Sequence, residues 1–81
     1  MEKIDQIIEA LLFASPEPLT QKKVNSIFDK NAPDLKSIIN KINNKYATQD
    51  HGIEILEIAG GFQIRTKSDF DNYVRKLLNN S

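Results

Sequence analysis

The fold is decided at positions 53–66, which read IEILEIAGGFQIRT. Two runs of β-branched and apolar residues, Ile53 to Ile58 and Phe62 to Thr66, flank the small residues Ala59-Gly60-Gly61. Short strand-forming runs on both sides of a glycine-containing break are typical of a β-hairpin. The sequence therefore predicts a two-stranded antiparallel hairpin with a glycine-rich turn.

The register of this hairpin is predicted from the cost of burying charge. A two-residue loop at Gly60-Gly61 would place Glu57 beside Ile64 on the buried face, and an unpaired buried carboxylate is costly. A three-residue loop keeps Glu57 outside, so we predict that loop, with Gly61 in the left-handed conformation. The residues predicted to face the helices are then Leu56, Ile58, Phe62 and Ile64. Those predicted to face solvent are Glu57, Gln63 and Arg65.

Helical periodicity lies on both sides of the hairpin. Apolar residues recur at helical spacing from about Lys3 to Ala14, in a short second segment that Thr20 can cap, and from Pro33 or Asp34 to about Thr48. A last segment, which Ser68 is predicted to cap, has an apolar face made of Phe70, Tyr73, Val74, Leu77 and Leu78. Three helices, a two-stranded hairpin wing and a C-terminal helix form a winged helix. The predicted fold class is α+β, mainly helical, with residues 1–81 as one domain.

Composition argues against several classes of function. Eighty-one residues form one core and leave little room for a substrate pocket as well. The absence of cysteine excludes disulfides and thiolate chemistry. The longest apolar run, Ala10 to Ala14, is far shorter than a membrane span, and the N-terminus does not read as a signal peptide. We expect a cytoplasmic protein that is not an enzyme and does not contact membranes.

The candidate chemical groups favour structural interpretations. His51 is the single histidine, and its neighbours Asp50 and Gly52 are typical of a turn rather than a metal site. Gly60-Gly61 joins two strands and precedes no helix, unlike a phosphate-binding loop. The acids near the start of the last helix fit the preference for negative charge there. The sequence predicts no catalytic residue, no cofactor and no metal ligand.

The polar face of the third helix leaves open a role in binding DNA. In winged helices that read DNA this element enters the major groove, where Asn and Lys can contact bases and phosphates. The candidate DNA face comprises Lys36, Asn40, Lys41, Asn44 and Lys45, with Arg65 and Lys67 on the wing. Eleven basic residues are balanced by eleven acidic ones, which weakens this alternative.

A few apolar residues do not fit the predicted core. Phe13 lies about 180° around the first helix from Ile4, beside the small residue Ala10. Ile53 and Ile55 share the predicted outer face of the hairpin. Exposed apolar groups of this kind indicate a protein contact, although a first helix packed on two sides would also explain Phe13. Both interpretations of Phe13 remain open at this stage.

Two stretches resemble the family of segregation and condensation protein B. They are Ile8-Glu9-Ala10-Leu11-Leu12-Phe13-Ala14-Ser15 with Glu17-Pro18-Leu19, and Gly52-Ile53-Glu54 with the hairpin from Glu57 to Lys67. The resemblance extends from about Ile7 to Leu78, and the hairpin motif is specific.

This resemblance implies a role in bacterial chromosome condensation and segregation. It implies a homodimer that binds a kleisin, segregation and condensation protein A, and through it the structural-maintenance-of-chromosomes ATPase at the nucleoid. DNA contact would then be weak or indirect. Members of the family carry a second winged helix, which we expect to be absent from this chain. The candidate protein interface is formed by Ala10, Phe13, Ile53 and Ile55.

Overall fold

The computed structural model describes residues 3–48 and 50–79. The helices are α1 (Lys3–Ala14), α2 (Gln21–Phe28), α3 (Leu35–Thr48) and α4 (Asp71–Asn79). Strands β1 (Ile53–Ile58) and β2 (Gly61–Thr66) form an antiparallel hairpin, and a 3-10 turn (Ser68–Phe70) precedes α4. The predicted element order is confirmed.

Two helices begin at side-chain caps. The Thr20 hydroxyl accepts a hydrogen bond from the Lys23 N–H at 3.2 Å, as predicted. The Asp34 carboxylate accepts one from the Ser37 N–H at 3.2 Å and another from the Ser37 hydroxyl at 2.6 Å. These caps satisfy N–H groups that the first turn of a helix leaves without intrahelical partners.

One hydrophobic core joins α1, α2, α3 and β1. Its fully buried side chains come from α1, α2 and α3. Burial of each of them stabilises the folded state by roughly 1.5–3 kcal/mol. The buried hydrophobic residues are Ile8, Leu12, Leu19, Val24, Leu35, Ile38, Ile39, Ile42, Tyr46 and Ile55. The helical positions agree with the stripes that periodicity predicts.

The predicted register of the hairpin is wrong. Ile58 pairs with Gly61, so the connection is a two-residue turn, Ala59-Gly60. Both turn residues have positive φ, 50° for Ala59 and 79° for Gly60, as a type I′ turn requires. Gly60 rather than Gly61 therefore provides the left-handed glycine, and Ala59 also takes this conformation despite its side chain.

Gly61 is needed for a close approach between β2 and the segment before α2. Leu19 and Phe62 form a β-bridge in which each N–H donates to the other's carbonyl oxygen at 2.8 Å. A Cβ atom at position 61 would lie 2.8 Å from the Leu19 carbonyl oxygen and 2.9 Å from the Pro18 Cβ. Only a residue without a Cβ fits there, so Gly61 belongs to the strand and the turn lies one residue earlier.

This register reverses the faces predicted for β1. Ile55 is 4% exposed and lies opposite Ile64, while Ile53 is half-buried against the core. Their prediction as residues outside the core is wrong, because a shift in register exchanges the two faces of a strand. Leu56 is 41% exposed, so its predicted core position is wrong as well. Ile58 shares that outer face.

The prediction is confirmed for the inward residues of β2. Phe62 and Ile64 pack against the core from the second strand. Glu57 and Arg65 are exposed, as predicted, although Glu57 lies opposite Phe62 near the turn rather than on the outer face.

The C-terminal helix lies largely outside the core. Ser68 does not cap it: Lys67 precedes the 3-10 turn and forms no side-chain cap, and α4 begins at Asp71. None of residues 71–79 is buried, and α4 contacts little besides the 3-10 turn. With extents of 45 × 27 × 19 Å, the molecule is elongated.

Candidate protein-interaction site

An open groove lies between α1 and the hairpin. Its volume is about 480 Å³, and it is lined by Gln6, Glu9, Ala10, Phe13, Tyr46, Ile53 and Ile64. We call it the Phe13 groove. The α1 residues follow the spacing i, i+3, i+4 and i+7, so they form one stripe of the helix beside its buried stripe.

The Phe13 groove brings together three of the four predicted interface residues. Phe13 is 85% exposed, which excludes a core position for it in this chain. Ala10 is exposed, and Ile53 extends from the core to the groove wall. Ile55 belongs to the core and does not line the groove. The misfit of Phe13 in the helical pattern therefore reflects an exposed apolar surface.

A buried tyrosine forms the polar part of this groove. The Tyr46 hydroxyl donates to Glu9 Oε2 at 2.7 Å, and the Tyr46 ring lies 5.0 Å from that of His51. Burial, the hydrogen bond to Glu9 and the Glu9 charge together raise the pKa of Tyr46 to about 12. The phenol therefore stays protonated at neutral pH and holds Glu9 in place. Sequence reasoning assigned Tyr46 to the core and missed its pairing with Glu9.

A second open groove lies between the end of α1 and α2. It has a volume of about 350 Å³ and a mostly apolar lining, with Ile27 54% exposed beside it. We call it the Ile27 groove. Its lining residues are Leu11, Ala14, Ser15, Leu19, Lys23, Ser26 and Ile27. The sequence pattern placed Ile27 on the inner face of the second helix and gave no signal for this surface.

The apolar face of α4 is also uncovered. Tyr73, Leu77 and Leu78 are 74%, 76% and 70% exposed, and Phe70 is 42% exposed. These are the residues whose shared face the sequence predicted. The structure places that face away from the core.

The candidate DNA face is only partly available. Lys36, Asn40 and Asn44 are exposed at i, i+4 spacing on α3. Lys41 instead approaches α1, where its Nζ lies 3.8 Å from Oδ1 of Asp5. Asp5 is 3% exposed, a buried carboxylate that sequence reasoning did not identify.

The remaining members of that face are engaged or half-buried. Lys45 and Lys67 are half-buried, and the Lys67 N–H donates to the Gly52 carbonyl at 2.8 Å. Arg65 Nε donates to Gln63 Oε1 at 3.4 Å, and Arg65 lies opposite Glu54 on the outer face of the hairpin.

Two other findings concern the described parts of the chain. No group of three or more metal-ligating side chains is assembled among residues 3–48 and 50–79. Within the same ranges, no helix is long and apolar enough to cross a membrane.

Comparison with known proteins decides the family. Residues 6–81 match the sequence profile of the family described as segregation and condensation complex subunit ScpB. This chain belongs to that family.

Curated relatives of the ScpB family align over most of the chain. Segregation and condensation protein B of Clostridium tetani is 39% identical over 72 residues, which cover 89% of this chain and 38% of that protein. The protein of the same name from Clostridium botulinum strain Hall is 40% identical over 76 residues, which cover 94% and 39%. The chain therefore spans less than two-fifths of the length of these relatives.

Solved structures of similar proteins confirm the winged-helix fold. A conserved hypothetical protein from Chlorobium tepidum superposes with a TM-score of 0.83 at 28% identity, over 94% of this chain and 48% of that one. ScpB from Mycobacterium tuberculosis gives 0.83 at 22% identity, over 96% and 49%. A crystal structure of a dimer of the ScpB N-terminal domain complexed with ScpA peptide gives 0.74 at 27% identity, over 89% and 84%.

Proposed function

We propose that this chain is a non-catalytic dimerisation and interaction module of a condensin-like complex acting in bacterial chromosome condensation and segregation. Membership of the ScpB family supports the process. The observation that carries the molecular role is the Phe13 groove, an apolar surface on which Phe13 is 85% exposed. A complex of this kind acts in the cytoplasm at the nucleoid.

Self-association through the Phe13 groove is supported by the cost of leaving it uncovered. Full burial of a Phe side chain is worth roughly 1.5–3 kcal/mol, and a two-fold contact uses the same patch twice. Phe13, Ala10 and Ile53 share this surface, while Glu9 and Tyr46 provide a fixed polar group at its side. An apolar centre with a polar border is the usual arrangement of a protein interface.

The second proposed partner is a kleisin, segregation and condensation protein A. Support comes from the similar ScpB N-terminal domain whose structure was solved as a dimer with ScpA peptide. We propose that the kleisin contacts the Ile27 groove, because its mostly apolar lining and exposed Ile27 suit an apolar peptide side chain. The structural-maintenance-of-chromosomes ATPase would then be reached through the kleisin.

Direct DNA binding is the alternative, and we propose that it is weak. Three aligned polar residues, Lys36, Asn40 and Asn44, favour it. The balanced net charge and the pairing of Lys41 with Asp5 oppose it, because affinity for duplex DNA depends on neutralising phosphates. A mobility-shift titration should give no complex at physiological salt. A tight complex under those conditions would support the DNA-binding alternative instead.

The test of the proposed interface compares Phe13→Glu with Lys36→Glu by sedimentation equilibrium. Phe13→Glu should shift the balance from dimer towards monomer by at least tenfold in dissociation constant, whereas Lys36→Glu should leave it unchanged. Both side chains are exposed, so circular dichroism should show intact folds. A dimer unaffected by Phe13→Glu would contradict a role for this groove. A matched Ile27→Glu variant should lose affinity for kleisin peptide and remain dimeric.

A further inference from the structure

The apolar face of α4 has the form of a ridge whose borders carry charges of both signs. At about 100° per residue, Phe70, Tyr73, Val74, Leu77 and Leu78 fall within an arc of roughly 140°. Charged residues of both signs border this arc. Asp71 and Arg75 lie about 20° and 60° beyond one edge, and Asp69 and Lys76 lie about 40° and 60° beyond the other. The helix has no buried residue within 71–79, although its apolar face would suit a core. An amphipathic helix of this kind requires a covering surface.

We propose that the α4 ridge of each chain packs into the Phe13 groove of a second copy, so that two chains exchange their C-terminal helices across a two-fold axis. This inference rests on the self-association proposed above and identifies the surfaces that form it. A two-fold axis makes the exchange reciprocal: the ridge of one protomer meets the groove of its partner, and the partner's ridge meets the first groove. Ridge and groove, both left uncovered in one chain, are then covered together.

The exposed area agrees with a stable dimer. Phe13, Phe70, Tyr73, Leu77 and Leu78 are between 42% and 85% exposed. Together their side chains present on the order of 600 Å² of apolar surface, given about 150–250 Å² for each buried aromatic side chain. A standard interface buries roughly 800 Å² per partner, and the groove walls supply the remainder.

The proposed contact is mainly apolar. Among the described residues that line the Phe13 groove, the charged one is Glu9, and its carboxylate already accepts a hydrogen bond from Tyr46. Ala10, Phe13 and Ile53 provide the apolar surface against which the α4 ridge packs.

The start of α4 lies near the Phe13 groove of its own chain. Phe70 lines a cavity with His51, and the His51 ring contacts Tyr46, which lines the Phe13 groove. The helix thus starts near its own groove but extends away from the core for nine residues, about 13 Å. In the proposed dimer the two-fold axis lies beside α4, so that the partner's groove lies along that path.

Disulfide trapping tests this arrangement directly, because the natural chain has no cysteine. Single variants Ala10→Cys and Tyr73→Cys are mixed and oxidised with oxidised glutathione. The matched control replaces Tyr73→Cys with Asn72→Cys, which lies on the polar side of α4. We expect the Ala10–Tyr73 pair to give at least five times more mixed disulfide dimer than the control pair. Equal trapping of both pairs would overturn the exchange.

A second variant separates failure of this inference from failure of the proposed function. Leu77→Glu should raise the dissociation constant of the dimer at least tenfold in sedimentation equilibrium, as Phe13→Glu should. Asn72→Glu should leave this dissociation constant unchanged. If Leu77→Glu leaves the dimer intact and trapping fails, self-association stands and the α4 exchange is wrong. If the unmodified chain is monomeric at millimolar concentration, both are wrong.

Discussion

The side-chain amide of Asn43 takes the place of a neighbouring strand beside Ile55. Asn43 Nδ2 donates to the Ile55 carbonyl oxygen at 2.9 Å, and the Ile55 N–H donates to Asn43 Oδ1 at 3.1 Å. Ile55 is 4% exposed, so water has little access to these backbone groups on the free edge of β1. This pairing fixes the hairpin against α3 and thereby holds Ile53 at the wall of the Phe13 groove.

Replacing Asn43 should destabilise the domain. Asn43→Ala leaves the buried N–H and carbonyl of Ile55 without partners, and each unsatisfied group costs about 1–3 kcal/mol. We expect the free energy of unfolding to fall by about 2–4 kcal/mol in urea denaturation. Asn40→Ala, at an exposed position of the same helix, serves as the control and should change it by less than about 0.5 kcal/mol. Equal effects of the two changes would show that the pairing is not important for stability.

A methyl group at position 61 should disturb the contact between the hairpin and the segment before α2. Gly61→Ala brings a Cβ within 2.8 Å of the Leu19 backbone, so β2 must move away from Leu19. A loss of roughly 1–3 kcal/mol is expected, as for other overpacked sites. Gly52→Ala is the matched control, because nothing lies within 4 Å of its added Cβ. Thermal unfolding of both variants checks this, and an unchanged melting temperature for Gly61→Ala would contradict the contact.

The stability of the domain should fall at alkaline pH because of Tyr46. Its pKa is raised from 10.0 to about 12 in the folded state, so the unfolded chain loses this proton first. The stabilisation is fully present below pH 10 and is lost as the pH rises towards 12, on the order of 2 kcal/mol in total. Ultraviolet titration in a Tyr73→Phe background isolates the Tyr46 phenol.

The same titration measures how much Glu9 contributes. Burial is the largest cause of the raised pKa, followed by the hydrogen bond and the charge of Glu9. Glu9→Gln removes the charge and keeps an acceptor, so the pKa should decrease but stay above 10. Glu9→Gln with no change in pKa would mean that the carboxylate does not contact the phenol in solution.

Lys41 should contribute to stability rather than to DNA binding. Lys41→Glu removes the cation 3.8 Å from the buried Asp5 carboxylate and adds a like charge. Because Lys41 is half exposed, we expect a loss of about 1–2 kcal/mol rather than the larger cost of breaking a fully buried pair. Lys36→Glu should be neutral. Chemical denaturation at two salt concentrations checks both variants. Equal free energies of unfolding for Lys41→Glu and Lys36→Glu would contradict the pairing of Lys41 with Asp5.

The helices could be predicted from local sequence because their signals are local. Apolar periodicity gave α1 its bounds, and Thr20 was identified as a cap from its place before a helical segment. The hairpin register depends instead on Leu19, more than 30 residues before the turn. The charge of Glu57 alone does not reveal the backbone contact that reserves position 61 for glycine.

The candidate site was predicted only in part, because some of its signals are local and others depend on distant parts of the chain. Phe13 could be identified because its position contradicts the period of its own helix. Ile53 and Ile55 were assigned to the wrong face, since one error in register exchanges the faces of a strand. Tyr46 pairs with Glu9, and Asn43 pairs with Ile55. In each pair the two residues belong to different elements of the fold, so no local sequence pattern indicates the pair.

The most direct test of the proposed function is the mass of the isolated, unmodified chain in solution. Sedimentation equilibrium across micromolar to millimolar concentrations should fit a monomer–dimer equilibrium, with a limiting mass of twice the 9.2 kDa chain. The limiting mass should not exceed that of a dimer, because a two-fold contact is closed. A chain that remains at 9.2 kDa up to millimolar concentration would contradict its role as a dimerisation module.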